Sequence, residues 1–197
     1  EVAVAALDDD PRRKAELADR HAAYFAERAA ALTPRLIGAG AADARAELTR
    51  DADELLAAHA HAAAQTDPRA CEQVIALTLA LDPLLAVQSR LALRRRLLDA
   101  AVHAAAQLRD EDADARVRLA RALCRRELAD LPGVEDDLAA VEAAAAALAD
   151  PVLRARVAIA RGELVEVAGD TVAARAAYQR ALHQLDERAA DTDGQVV

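Results

Sequence analysis

The sequence predicts an all-α chain of about four successive helical hairpins, and three observations predict it. The hydrophobic fraction, 54% of the residues, is carried largely by alanine and leucine, which favour helix over strand. No segment shows the alternation of β-branched or aromatic with polar residues that marks a strand. The corner residues Ser89, Gly133 and Gly169 lie 44 and 36 apart, and a mean spacing of 40 fits a repeated helix pair in which each pair covers its neighbour's apolar face.

Residues 1–10 read as a linker: a short apolar run, Val2 to Leu7, then Asp8-Asp9-Asp10 before Pro11. The aspartates supply an N-cap and favourable charge for a helix whose first turn accepts proline. That helix is expected over about 11–31, with Leu17, Tyr24, Phe25 and Leu32 on one broad face. Thr33-Pro34 and Gly38-Ala39-Gly40 end it. A second long helix follows over about 41–64, carrying Leu48, Leu55 and Leu56 at helical spacing and stopping before Thr66-Asp67-Pro68. Residues 11–66 thus form one long hairpin adjoining the repeats.

Residues 67–187 read as three helical pairs. Pro68 opens a helix of about 69–87 that Pro83 either kinks or divides, and the kinked reading is preferred. Ser89-Arg90 turns into a helix ending near 107 that buries Leu91, Leu97, Leu98, Ala101 and Val102. Asp110 to Asp114 starts the next, about 112–130, which Leu131-Pro132-Gly133 closes. Helices over about 134–148, 151–168 and 171–187 complete the series. The polar segment 188–197 reads as a flexible tail.

Composition narrows the function. A net charge of −9 and only three aromatic side chains, Tyr24, Phe25 and Tyr178, oppose nucleic-acid contact, which needs basic surface and stacking platforms. Arg94-Arg95-Arg96 sends its members three ways around a helix and reads as a solvated face. No apolar run approaches the roughly 20 residues that cross a bilayer, and no signal-peptide core is present, so no membrane contact is expected. Cys71 and Cys124 sit in apolar helical patterns and read as buried free thiols of a cytoplasmic protein. The chain has no methionine, so it reads as a piece of a longer protein.

In "ARVAIARGELVEVAGDTVAARAAYQRAL" five positions converge. Gly162 is a small residue where two helices would cross closely, Gly169-Asp170 forms the corner, and Ala174, Tyr178 and Ala181 make a small-aromatic-small series. This stretch resembles a tetratricopeptide repeat, although Arg161 stands where leucine is usual and no proline follows the second helix. The earlier units are degenerate: Arg94 occupies a small-residue position, and "LPGVEDDLAAVEAAAAAL" lacks the aromatic. The resemblance implies a right-handed α-solenoid whose first helices line an inner surface. It points Arg156, Ile159, Glu163 and Glu166 inward, with Leu123 and Glu127 from the preceding unit. An arginine among glutamates on that surface suits a partner of basic and apolar character.

A broader likeness covers about residues 19–102. "DRHAAYFAERAAALTPRLIGAG", with Arg20 to Phe25 most distinctive, then "ADARAELTRDADELLAAHAHAAAQTDP" and "SRLALRRRLLDAAV" resemble the helical region that follows the ATPase in bacterial STAND-type regulators. Leu55-Leu56 replaces the family's Asn-Leu-Arg, and the tryptophans of its third and fourth helices are missing. The likeness implies the C-terminal sensor or protein-interaction region of a signalling or transcriptional regulator. Its expected partners are a protein, a peptide or a small effector, together with an ATPase module attached in the parent chain.

Catalysis is not expected, and neither is a cofactor. The only lysine, Lys14, has no phosphate-binding loop around it. His59 and His61 are two apart, on opposite sides of a helix, and cannot share a metal. His21, His103 and His183 read as surface or interface residues. Ser89 lacks a nucleophile elbow, and neither cysteine has histidine at helical spacing. The carboxylate runs sit at helix starts, where the macrodipole explains them. A chaperone-type carboxylate clamp needs asparagine donors, and the chain has no asparagine. The expected function is therefore a non-enzymatic helical-repeat sensor. The alternative is a homo-oligomerisation module packing through faces such as "VEAAAAALAD".

Overall fold

The computed structural model describes residues 11–193, with side chains through Asp186. The linker expected at 1–10 and the last four residues lie outside that range. Among the described residues the regular elements are all helices and there is no strand. Nine α-helices run α1 (Pro11–Leu32), α2 (Ala41–Arg50), α3 (Ala52–Ala63), α4 (Pro68–Val87), α5 (Leu91–Leu108), α6 (Glu111–Glu127), α7 (Leu131–Ala147), α8 (Pro151–Val167) and α9 (Thr171–Asp193). A short 3₁₀ turn, Thr33–Leu36, follows α1. The chain divides into two compact units, the first ending at Arg109 and the second beginning at Asp110.

In the first unit α4 is the central helix. It packs against α1, α3 and α5, and Leu77, Leu81 and Leu85 are buried in one cluster with Ala22, Leu32, Leu48, Leu55 and Leu97. Each fully buried leucine contributes roughly 1.5–3 kcal/mol of transfer free energy, whereas the alanines around them mainly permit close approach. Asp67 caps α4 by accepting from Ala70 N at 3.1 Å. Pro83 lies inside a continuous helix, so the single-helix reading holds. The expectation that no apolar run reaches membrane-spanning length is corrected here. By length and composition α4 is long and apolar enough to cross a bilayer, although its buried face is the core of this unit.

Two further expectations are corrected in this unit. The helix expected over 41–64 is broken at Asp51 (φ −94°, ψ 6°) into α2 and α3. Arg28 of α1 holds both the Asp51 carboxylate and Glu47, and Arg35 reaches Glu47 as well, which pins the chain at the break. Arg94 does not join a solvated triplet. It is 3% exposed and donates from Nε to Asp82 Oδ1 of α4 at 2.7 Å.

The corners follow a regular grid. Left-handed residues occur at Ser89, Arg109, Ala129, Ala149 and Gly169, one every 20 positions. At four of them the next amide donates back to a carbonyl five residues earlier: Arg90 to Leu85, Asp130 to Arg125, Asp150 to Ala145 and Asp170 to Val165. That is the long bond of a Schellman ending. From Asp110 onward the residue after the corner is also the N-cap of the next helix. Asp110, Asp130, Asp150 and Asp170 accept from Ala113, Gly133, Leu153 and Ala173 respectively. At Asp130, Asp150 and Asp170 one aspartate therefore serves both helices, and no loop intervenes. Gly133, expected as a corner, lies inside α7 for this reason, and the turn is made by Ala129.

The second unit consists of two hairpins, α6 with α7 and α8 with α9, and α8 packs against both α6 and α7. Leu119, Val134, Leu138, Val141, Leu153 and Val157 fill the seam between them. Helix α9 continues to Asp193, past the point where the sequence places the tail.

Candidate functional site

The residues that carry the repeat resemblance meet at the α8–α9 crossing. A Cβ on Gly162 would lie 2.6 Å from the Tyr178 ring, so the two helices approach as closely as they do only because Gly162 has no side chain. Ala174 and Ala181, on the same helix as Tyr178, are buried. Tyr178 Oη donates to Glu166 at 2.6 Å, and that bond, with some burial, holds the phenol above its ordinary pKa. Gly169 supplies the corner at φ +88°.

Four of the six residues expected on the inner surface come together. Leu123, Arg156, Ile159 and Glu163 line a trough of about 250 Å³ between α6 and α8, together with Leu119, Arg126 and Ala160. Their spacing explains the meeting: Arg156, Ile159, Ala160 and Glu163 stand three, four and seven apart on α8, one stripe of a helix. The opposing stripe of α6 carries Leu119, Leu123 and Arg126. Glu127 and Glu166 are exposed and do not line the trough; Glu166 is engaged by Tyr178 instead.

The charge inside differs from the sequence expectation. Glu163 is paired with Arg126 across the trough, whereas Arg156 makes no ion pair among the described residues. Two arginines against one glutamate leave the lining net positive, over a floor of Leu119, Leu123 and Ile159. Such a lining complements an apolar group attached to an acidic one, not the basic partner that an arginine among glutamates would suit.

Between α6 and α7 lies a cluster that the sequence reading missed. Asp137 of α7 is 0% exposed. Arg121 grips it with both arms of its guanidinium, Nε to Oδ2 at 2.9 Å and Nη2 to Oδ1 at 2.6 Å. Arg125 donates to Oδ2 at 2.9 Å and to the Gly133 carbonyl at 2.9 Å. Arg118 reaches Oδ1 at 3.4 Å while holding Asp114 at 2.6 Å. The signal was present in the sequence as Arg118, Arg121 and Arg125, three and four apart on one face of α6. It resembles an ordinary solvated stripe unless the partner aspartate is known to be internal.

No protein-family model, curated protein or solved structure matches the chain. Chemistry must accordingly be read from the side chains. Among the described residues no group of three or more His, Cys, Asp or Glu converges as a metal site would. His61 bonds Asp19 at 2.7 Å and His21 bonds Glu54 at 2.8 Å, both tying α3 to α1. His59 is buried against Thr78 Oγ1 at 3.0 Å; burial, with a smaller push from Arg96, lowers its pKa to about 4. Cys71 is buried and donates to Gln107 at 3.1 Å, and burial raises its pKa. Cys124 is also buried and outside any disulfide.

Proposed function

We propose that the chain is a non-enzymatic helical-repeat interaction region, a right-handed tetratricopeptide-like solenoid acting as the C-terminal sensor of a STAND-type regulator. Its site is the α6–α8 trough, which receives an apolar side chain neighboured by a carboxylate on a protein or peptide partner. One observation carries the reading: Leu123, Arg156, Ile159 and Glu163, expected to face inward from the repeat pattern, line a single trough. Ile159, 39% exposed, is the apolar anchor, and Arg156 is the guanidinium left to pair with the incoming acid. Engagement of a partner acts on an attached ATPase only through unequal affinity for its two conformations.

Two measurements test this. Arg156→Glu and Ile159→Asp, both at exposed positions, are expected to abolish cross-linking to the parent regulator's partner while leaving the helical circular dichroism unchanged; undiminished cross-linking overturns the trough. The flanking coding sequence tests the regulator reading, which fails if no ATPase module is encoded in the same chain. The homo-oligomerisation alternative draws on Leu182 and Leu185, both exposed on α9. It predicts a mass that rises with concentration in light scattering and falls back with Leu182→Glu.

A further inference from the structure

We propose that the trough between α3 and α5 in the first unit is a binding site for a small amphipathic carboxylate of the fatty-acid type. The trough is about 510 Å³, within the range of small-molecule sites. Leu56, Leu93 and Leu97 line it, His59 lies among them, and Arg90 and Arg96 are the cations. Most of the wall is apolar, and its cationic groups are few and convergent, the combination that fixes the orientation of an amphipathic ligand.

The arginines supply the direction of the argument. Helix α5 and its N-cap carry four of them. Arg94 is buried against Asp82 and Arg95 pairs with Asp99. Arg90 and Arg96, the two that line the trough, make no ion pair among the described residues. In a chain where acids outnumber bases by nine, two unpaired guanidinium groups on one cavity mark a place where negative charge is missing. Guanidinium groups match carboxylates in shape and in hydrogen-bond donors. Arg96 is also near enough to His59 to disfavour its protonation, so the positive charge reaches the apolar interior of the trough. A single anionic head with an aliphatic tail satisfies both features, whereas a polyanion leaves the leucines uncovered.

The site lies in a different unit from the α6–α8 trough and stands or falls separately. Calorimetric titration of the full chain with decanoate, decanol and inorganic phosphate tests it. Decanoate is expected to bind one per chain, decanol at least tenfold more weakly, and phosphate neither to bind nor to displace decanoate. Arg90→Gln with Arg96→Gln is expected to weaken decanoate at least tenfold. Ala60→Glu, at an exposed lining position, is expected to block the trough without unfolding the chain, as unchanged circular dichroism will show. The proposal is overturned by absence of decanoate binding, by equal affinity for decanol, by displacement with phosphate, or by binding that survives either variant. A concentration-dependent dimer that Ala60→Glu dissociates, with no decanoate uptake, also overturns it and assigns the trough to a second copy of the chain.

Discussion

Removing the Asp137 carboxylate is expected to be among the most damaging single changes in the second unit. Its side chain is 1% exposed, and the three arginines around it, Arg118, Arg121 and Arg125, are 27%, 12% and 16% exposed. With Asp137→Ala, Arg118 keeps Asp114 and Arg125 keeps the Gly133 carbonyl. Arg121 gives up both arms of its grip on that carboxylate. Breaking a buried ion pair from one side costs about 3–5 kcal/mol, because the remaining charge is left uncompensated. Residual water access to the arginines places this case near the lower end, at about 3 kcal/mol. Urea unfolding followed by far-ultraviolet circular dichroism measures it. Glu135→Ala is the control: that carboxylate pairs with Arg161 but is 61% exposed, and its removal should cost under about 0.5 kcal/mol. If Asp137→Ala costs less than about 1 kcal/mol, or no more than the control, the cluster does not hold α6 to α7 and the reasoning fails.

Gly162→Ala should destabilise by about 1 kcal/mol, because overpacking against Tyr178 outweighs the roughly 1 kcal/mol gained in helix propensity. A double-mutant cycle with Tyr178→Ala checks this, since the penalty should shrink once the ring is gone. Ala129→Gly and Ala149→Gly should each stabilise by about 0.5 kcal/mol: the left-handed corner penalises alanine by about 1–2 kcal/mol, and the added freedom of glycine in the unfolded chain offsets part of that. Thermal unfolding of the two variants reads the sign. His59 makes stability fall with acidity. Its folded pKa of about 4 lies below the ordinary 6.5, so the unfolded chain takes up the proton first as pH drops. The contribution is complete above about pH 6.5 and is lost towards pH 4, amounting to about 2 kcal/mol between pH 7 and 4.5. His59→Leu should be less acid-sensitive than the native chain by that amount in paired urea titrations.

The helical class and most element positions were legible in the sequence, because helix propensity, apolar spacing and aspartate caps all act locally. Gly162 and Tyr178 were legible as well, since a residue without a side chain opposite an aromatic ring leaves a recognisable pattern. The break at Asp51 was not, because Arg28 acts on it from a different helix. Arg94 and Asp137 were misread or missed for a related reason. A charged residue looks like surface until its partner is placed, and Asp82 lies 12 residues from Arg94 and Asp137 lies 16 from Arg121. The corner grid was half visible: Gly169 announced itself, whereas Ala129 and Ala149 adopt the same left-handed turn without glycine. What did recur in the sequence was the aspartate that follows each of them.

Those aspartates and the part-buried arginines of α6 answer one difficulty of an alanine-rich hairpin. Alanine allows helices to approach closely but buries little area, so the seam between two such helices gains less from apolar transfer than a leucine seam would. In the α6–α7 pair the long aliphatic stems of Arg118, Arg121 and Arg125 occupy the space that larger apolar side chains would otherwise fill, and Asp137 together with Asp114 and Asp130 neutralises their heads. The α8–α9 pair solves the same problem with one tyrosine over one glycine. A charged seam fixes register more strictly than an apolar one, because a shift of one turn would strand the buried carboxylate, whereas alanines sliding past each other lose little. On this argument Asp137→Leu, which replaces the cluster's centre with apolar volume, should leave α6 and α7 helical but loosen their register. The expected signature is faster amide hydrogen exchange along both helices with circular dichroism unchanged.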